Sequence, residues 1–325
     1  MLATIERLSA LIEKEISEVE LGQHPSELYD PIYYILTLEG KRIRPLLALL
    51  SYSLYKGDVE NIINPASAVE VFHNFTLMHD DIMDEAPLRR GKPTVHEEWN
   101  RNTAILSGDV MLVKAYDLFL SADDQYLRKI LTRFNQCATE VCEGQQLDMN
   151  FENRDDVTVE EYLEMIRLKT AVLLGFSLEL GAILADAPEK DQIALRDFGI
   201  LTGIGFQLMD DLLDVYADKD KFGKQVGGDI IANKKTLLLI EAMDLADSKQ
   251  KNSLNEWMKK KKFDPEEKVK AVMGIYDELD VKGLTELMMN QYFEQGIAKL
   301  HNLSAPMPRV AILQKFTQRL INREK

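Results

Sequence analysis

A chain of 325 residues with 54 Asp and Glu against 39 Lys and Arg, a formal charge of −15, lacks the broad basic surface that binding a nucleic-acid backbone requires. Its two cysteines, Cys137 and Cys142, have neither zinc-pair nor redox Cys-x-x-Cys spacing and read as helix residues of a protein in a reducing compartment. With 46% hydrophobic residues, only 17 Gly and 10 Pro, and no Pro between Pro93 and Pro188 or between Pro188 and Pro265, the composition predicts long uninterrupted helices, an all-α chain with no linker dividing it, and one domain over residues 1–325.

At the amino terminus Ile5, Leu8, Ile12 and Ile16 recur at helical spacing beside Glu6 and Arg7, which predicts a packing helix and not the apolar core of a signal peptide. A turn at Gly40 opens the basic cluster Gly40-Lys41-Arg42-Ile43-Arg44-Pro45. The next long helical run ends in the acidic word Asp80-Asp81-Ile82-Met83-Asp84. His73, seven residues before Asp80, projects onto the same helix face, about two turns away. His79 reads equally as a packing residue or as a support for the cluster.

Punctuation from Pro87 to Pro93 marks a loop holding Arg89-Arg90-Gly91-Lys92, whose guanidinium forks match diphosphate oxygens. Lys169, flanked by Met165, Ile166, Leu168, Val172 and Leu173, is expected to be buried, and a buried lysine needs an anion. The longest apolar stretch, Thr170 to Ala185, is too short to span a bilayer and contains Glu179, which predicts a buried core helix in a soluble, cytoplasmic protein. A second acidic word, Asp210-Asp211-Leu212-Leu213-Asp214, follows 130 positions after the first, with Lys224, Lys234 and Lys235 beyond it. The run Lys259 to Lys262 is balanced by Asp264, Glu266 and Glu267 and reads as solvated surface.

Two matches to Asp-Asp-x-x-Asp arise by chance in about one such chain in a hundred. At helical pitch the first and last Asp of each word share a face, so each word clusters carboxylates that repel one another unless a cation sits on them. Both words also end helical runs, where carboxylates oppose the helix dipole, and a bound metal would remove that penalty. Mg²⁺ suits such a site because it uses one or two protein carboxylates and takes its other oxygens from water and substrate phosphates.

In motif order the chain resembles the trans-isoprenyl diphosphate synthases, the polyprenyl synthetase family, over nearly its whole length. The likeness runs through Gly40 to Pro45, Val69-Glu70-Val71-Phe72-His73, Asp80 to Asp84 with Arg89-Arg90, Gly144-Gln145-Gln146-Leu147-Asp148, Lys169-Thr170, Gln207 to Asp214, Phe222-Gly223-Lys224 and Lys234. Asn233 departs from the family's usual Gly and is expected to alter loop conformation and not chemistry. The resemblance implies antiparallel helices around a deep central cavity, a homodimer, and three Mg²⁺ ions, with Mn²⁺ as a substitute, held between the two acidic words. It implies that Asp80, Asp84 and Asp210 bind metal directly, with Asp81, Asp211 and Asp214 helping indirectly. Lys41, Arg44, His73 and Arg90 would hold isopentenyl diphosphate, and Arg89, Lys169, Thr170, Gln207, Lys224 and Lys234 would surround an allylic diphosphate. Asp80, Asp84, Arg89, Lys169, Asp210 and Lys224 would carry the catalysis.

The reaction implied is head-to-tail condensation to a short all-trans prenyl diphosphate. The residues five and four positions before the first word, Phe75 and Thr76, resemble the pocket floor of C20 synthases, with C15 as the next expectation. On an ideal wheel Phe75 lies about 140° from Asp80, so its place in the pocket comes from the family likeness alone. The basic tail Arg323-Glu324-Lys325 resembles the family's closing carboxy terminus. A class I terpene cyclase would have Asn/Asp-x-x-x-Ser/Thr-x-x-x-Glu as its second metal motif, and a non-catalytic subunit of a heteromeric synthase would usually lose one word. Both words, and the set Lys41, Arg44 and Arg90, are intact.

Overall fold

The computed structural model of the chain describes residues 2–217 and 227–321. From Leu2–Glu18 to Met307–Ile321 the elements are helices, broken among the described residues by one two-stranded hairpin, Leu88–Arg89 with Lys92–Pro93. The all-α expectation holds. Helices end at Thr37 before Gly40, at Met83 before Pro87, at Leu184 before Pro188 and at Lys259 before Pro265, as the turn residues predict. Among the described residues no helix is long and apolar enough to cross a membrane.

The described residues form two compact units: one built from the chain up to Cys137, Leu173–Arg196 and the chain from Leu300, the other from Ala138–Val172 and Asp197–Lys299. In the first, Leu8, Ile12 and Ile16 are buried, as their spacing predicts. Phe72, Phe119, Phe134 and Phe176 form an aromatic cluster, with Phe134 centroids 5.0, 4.7 and 5.7 Å from the other three. Each such fully buried ring contributes on the order of 2 kcal/mol. Helix Val172–Leu184 lies against Ile43–Ser53 closely enough that a Cβ at Gly181 would sit 2.1 Å from the Ala48 carbonyl oxygen. Glu179, the acid inside the apolar stretch, is matched by Arg133 at 3.1 Å.

In the second unit, helix Val159–Ile166 starts at a reciprocal cap: the Thr158 hydroxyl accepts from the Glu161 amide, and the Glu161 carboxylate accepts from the Thr158 amide. Tyr162, Met165 and Ile166 then pack against Leu208 and Leu237. Beyond Ile166 the backbone widens into a π-turn over Arg167–Ala171 before α-helix resumes at Val172, whose amide donates to Arg167. A π-turn inserts one extra residue and rotates the side chains that follow it. Lys169 and Thr170 lie in this segment.

Candidate active site

The first acidic word lies at the end of helix Ile63–Met83, with Asp84 as its carboxy-terminal cap, its amide donating to the Asp80 carbonyl at 2.9 Å. Its three aspartates differ in environment. Asp84 is exposed, Asp80 half-buried and Asp81 2% exposed. Asp81 takes a fork from Arg89, with Nε at 2.8 and 2.9 Å and Nη2 at 2.7 Å, while Nη2 lies 3.9 Å from Asp80. Burial raises the Asp81 pKa, and the Arg89 fork works against that. Arg89, assigned by family likeness to an allylic diphosphate, is in this structure first a brace for the acidic word.

The hairpin explains how two adjacent arginines part. Arg90 and Gly91 form its two-residue loop with φ of 52° and 76°, the double left-handed turn that suits the twist of paired strands. Arg90 turns away and donates to the Leu38 carbonyl at 3.1 Å. A Cβ at Gly40 would lie 2.7 Å from Arg90 Nη1, so this glycine leaves room for the guanidinium. Arg42, itself at φ 43°, is occupied by Glu70 at 2.9 Å and by the Leu38 carbonyl at 3.1 Å, and so holds the loop. Arg44 and Arg90 have no ion-pair partner among the described residues, and Arg44 Nε is buried without an acceptor.

Burial, followed by the charges of Arg44, Arg90, Arg89 and Arg42, holds His73 well below the ordinary histidine pKa, so its ring is neutral at pH 7. The unfolded chain takes up a proton near pH 6.5 that folded His73 refuses, so stability is expected to fall as pH drops through about 6.5. Thermal denaturation at about pH 7.5 and about pH 5.5 checks this: His73→Gln should lose less stability between the two than the wild type. Equal losses would remove His73 as the cause.

His79 packs its ring on helix Arg101–Phe119, 3.2 Å from the Ile105 carbonyl, and a Cβ at Gly108 would meet it at 2.2 Å. Phe75 lies between His79 and Phe72, with centroids at 4.8 and 5.6 Å, and the Thr76 hydroxyl is turned back onto the His73 carbonyl at 2.8 Å. Lys41 is exposed.

The second acidic word lies near the end of helix Glu189–Tyr216 and repeats the division of labour. Asp210 is exposed. Asp211 is 3% exposed and accepts from the Tyr162 hydroxyl and from Gln207 Nε2 at 3.1 Å. Burial pushes its pKa up to about 7, against the pull of the Tyr162 and Gln207 hydrogen bonds and the Lys234 charge. Gln207 also accepts from Thr170 at 3.3 Å, so the π-turn and the second word are joined through one amide. Asp214 accepts the Asp229 amide at 2.9 Å, while the Gly227 amide donates to its carbonyl. Lys234 Nζ lies 4.0 Å from Asp229, and Lys235 turns to Asp155 at 3.2 Å.

Lys169 is half-buried, and it pairs within the chain with Asp148, at 2.6 Å. Gly144, four residues earlier, faces the π-turn so closely that a Cβ there would lie 2.2 Å from the Lys169 backbone nitrogen. The Gly144-to-Asp148 motif thus admits the π-turn at one end and orients its lysine at the other. Asp148 stands in the Gly144-to-Asp148 motif, whereas Tyr162 and Asp229 carry these contacts without a motif to mark them: Tyr162 reads as an apolar-face residue of a short helix, and its partner is 49 positions away. The one signal for Asp229 is an acid directly after Gly227-Gly228. Lys224 and the Arg323-Glu324-Lys325 tail lie outside the described residues.

Asp80 and Asp84 lie one helical turn apart at the end of one helix, and Asp210 is exposed near the end of another; carboxylate oxygens of this kind suit a hard divalent cation. Among the described residues no three or more His, Cys, Asp or Glu side chains converge as a complete protein cage.

Residues 25–276 match the profile of the polyprenyl synthetase family. A short chain isoprenyl diphosphate synthase of Methanocaldococcus jannaschii is 42% identical over 247 residues, 76% of this chain and 75% of that one. A geranylgeranyl diphosphate synthase of Sulfolobus acidocaldarius is 36% identical over 303 residues, 90% and 91% of the two chains. Among solved structures, a crystal structure of geranylgeranyl pyrophosphate synthase superposes with a TM-score of 0.93 at 42% identity, covering 100% of this chain and 99% of that one. Matched by the family profile over most of its length, and alike in sequence and in fold to these synthases, the chain belongs to the polyprenyl synthetase family.

Proposed function

We propose that the chain is a short-chain trans-prenyltransferase that condenses isopentenyl diphosphate head-to-tail with an allylic diphosphate, with C20 as its main product and C15 the next candidate. The observation that carries the reading is the cluster around His73: Arg44 and Arg90, two arginines with no ion-pair partner among the described residues, stand beside an acidic word whose middle aspartate is already neutralised by Arg89. Guanidinium groups without an ion-pair partner match an anion with several oxygens, and a diphosphate supplies it.

In this reading Lys41, Arg44, Arg90 and the neutral His73 ring hold the isopentenyl diphosphate. Lys169, Thr170, Gln207, Lys224 and Lys234 surround the allylic diphosphate, and Arg89 holds the first acidic word. Mg²⁺ bound at Asp80, Asp84 and Asp210, three ions in all, would neutralise the charge that develops on the leaving diphosphate. The allylic C1–O bond breaks, the isopentenyl double bond attacks C1, and a proton leaves the resulting cation to the departing diphosphate. Fixed guanidinium and ammonium groups stabilise that leaving group most in a site from which water is excluded. A second copy of the chain is the proposed partner: Leu106 and Val113 on helix Arg101–Phe119 and its cap residue Leu120 are 58, 59 and 56% exposed at seven-residue steps, an apolar stripe that suits a helix from another subunit.

The test is incubation of the purified protein with Mg²⁺, isopentenyl diphosphate and each of the C5, C10 and C15 allylic diphosphates, with products read by mass spectrometry. Elongation stopping at C20 is expected, and no elongation would overturn the reading. Phe75→Ala is expected to lengthen the product beyond C20, because it removes the ring between Phe72 and His79. An unchanged product distribution under saturating isopentenyl diphosphate would show that Phe75 is not the floor.

A further inference from the structure

Lys268, from helix Pro265–Glu278, is 1% exposed and has no ion-pair partner among the described residues. An ammonium removed from water without a counter-charge is costly, and an apolar side chain would fill the same space at less cost. Its ammonium is instead held by neutral groups: it donates to the Asn233 side-chain oxygen at 2.7 Å and to the Ile231 carbonyl at 3.0 Å, and lies 4.5 Å from the Phe263 ring centroid.

Both acceptors belong to one turn. The helical turn Gly228–Ala232 ends at Asn233, which is left-handed at φ 57° and ψ 32°. Asparagine adopts that conformation at some cost, which a side chain tied down on both sides offsets. Here the Asn233 oxygen accepts from Lys268 and its Nδ2 donates to the Met258 carbonyl at 3.1 Å. The next residue is Lys234, whose amide donates to the Asp229 carbonyl at 2.9 Å. The Asp229 amide in turn donates to Asp214 of the second acidic word. The turn is therefore gripped at its start by Asp214 and at its end by Lys268.

We propose that Lys268 is a positioning residue for Lys234: through Asn233 and the Ile231 carbonyl it fixes the left-handed turn that sets the direction in which the Lys234 ammonium leaves the backbone. The proposal rests on the reading of Lys234 as a ligand of the allylic diphosphate. A lysine side chain has four rotatable bonds, so its reach toward an anion is only as defined as the backbone that carries it. Asn233 is left-handed, a conformation that glycine also takes freely, and its side chain adds an acceptor for Lys268 that a glycine would not have.

The experiment compares wild type with Lys268→Met, Asn233→Gly and Lys234→Met, measuring Mg²⁺-pyrophosphate binding by calorimetry and KM for each substrate. Lys268→Met is expected to weaken pyrophosphate binding and to raise the allylic KM by roughly tenfold, the usual effect of removing a group that orients a ligand. The KM for isopentenyl diphosphate should stay unchanged. Asn233→Gly, which keeps the left-handed turn but loses the acceptor, should shift both readouts in the same direction by less, and the double variant should fall short of the sum.

Wild-type pyrophosphate affinity in Lys268→Met, or an equal rise in both KM values, would overturn the proposal. Should Lys268→Met fail to fold, Asn233→Gly decides it: unchanged affinity in that variant overturns it. Lys234→Met separates the two layers. Unchanged binding there removes Lys234 from the site, whereas a loss there with none in Lys268→Met removes only the positioning role.

Discussion

Asp80→Ala and Asp210→Ala are each expected to lower turnover by roughly two to three orders of magnitude, the range seen when one group stabilising developing charge is deleted. Both should melt close to the wild type. Asp210 is exposed and Asp80 half-buried, so neither carboxylate is sealed from water as Asp81 and Asp211 are. The contrast with Asp81 makes the prediction specific. Asp81 is the buried end of a bidentate pair with Arg89, which is itself only 24% exposed. Asp81→Ala removes that guanidinium's close, bidentate counter-charge, leaving Asp80 at 3.9 Å, and should cost roughly 3 kcal/mol of stability together with activity. Turnover at saturating substrate and a urea midpoint for each variant separate the two classes. Near-normal turnover in Asp80→Ala or Asp210→Ala would refute the metal role of that residue.

Gly144→Ala ranks second in expected effect, and its sign is diagnostic. In a helix without close neighbours, alanine is the better helix former by about 1 kcal/mol, so the exchange would stabilise the protein. Here the new methyl would lie 2.2 Å from Lys169 N, 2.7 Å from Leu168 C and 2.7 Å from Lys169 Cα, all backbone atoms that cannot swing aside. Either the two helices separate or the π-turn shifts. A shift rotates the following residues by about 100° per position and takes Lys169 from Asp148 and Thr170 from Gln207. A loss of about 1–3 kcal/mol is expected from the overpacking alone. A higher allylic KM should accompany it. A lower melting temperature with the KM unchanged would keep the packing argument but detach the π-turn from substrate binding, and a raised melting temperature would contradict the close approach itself.

Sequence reading reached the acidic words, the basic residues stationed near them and the helix ends, because each depends on neighbours within a few positions. Helical pitch alone puts Asp80 and Asp84 on one face, and Pro87 alone limits how far that helix can run. The same local reading could not distinguish Asp80 from Asp81 or Asp210 from Asp211. What separates them is burial and a donor brought by folding: Arg89 from the hairpin for one, Tyr162 from 49 positions away for the other. Nor could it foresee that Lys169 would find Asp148 within the chain, or that Asn233 would be held by a buried lysine.

The sequence by itself determined the all-α class, through helical periodicity and sparse Gly and Pro, and the family, through motifs whose order along the chain resembles it. Only the tertiary structure decided which carboxylates remain exposed and which are spent on bracing, why Gly144 and Gly40 are glycines, and what carries Lys234. Those outcomes depend on close approaches between segments far apart in the chain, where a tenth of a nanometre decides whether a side chain fits and a single buried donor decides which acid is bound within the fold.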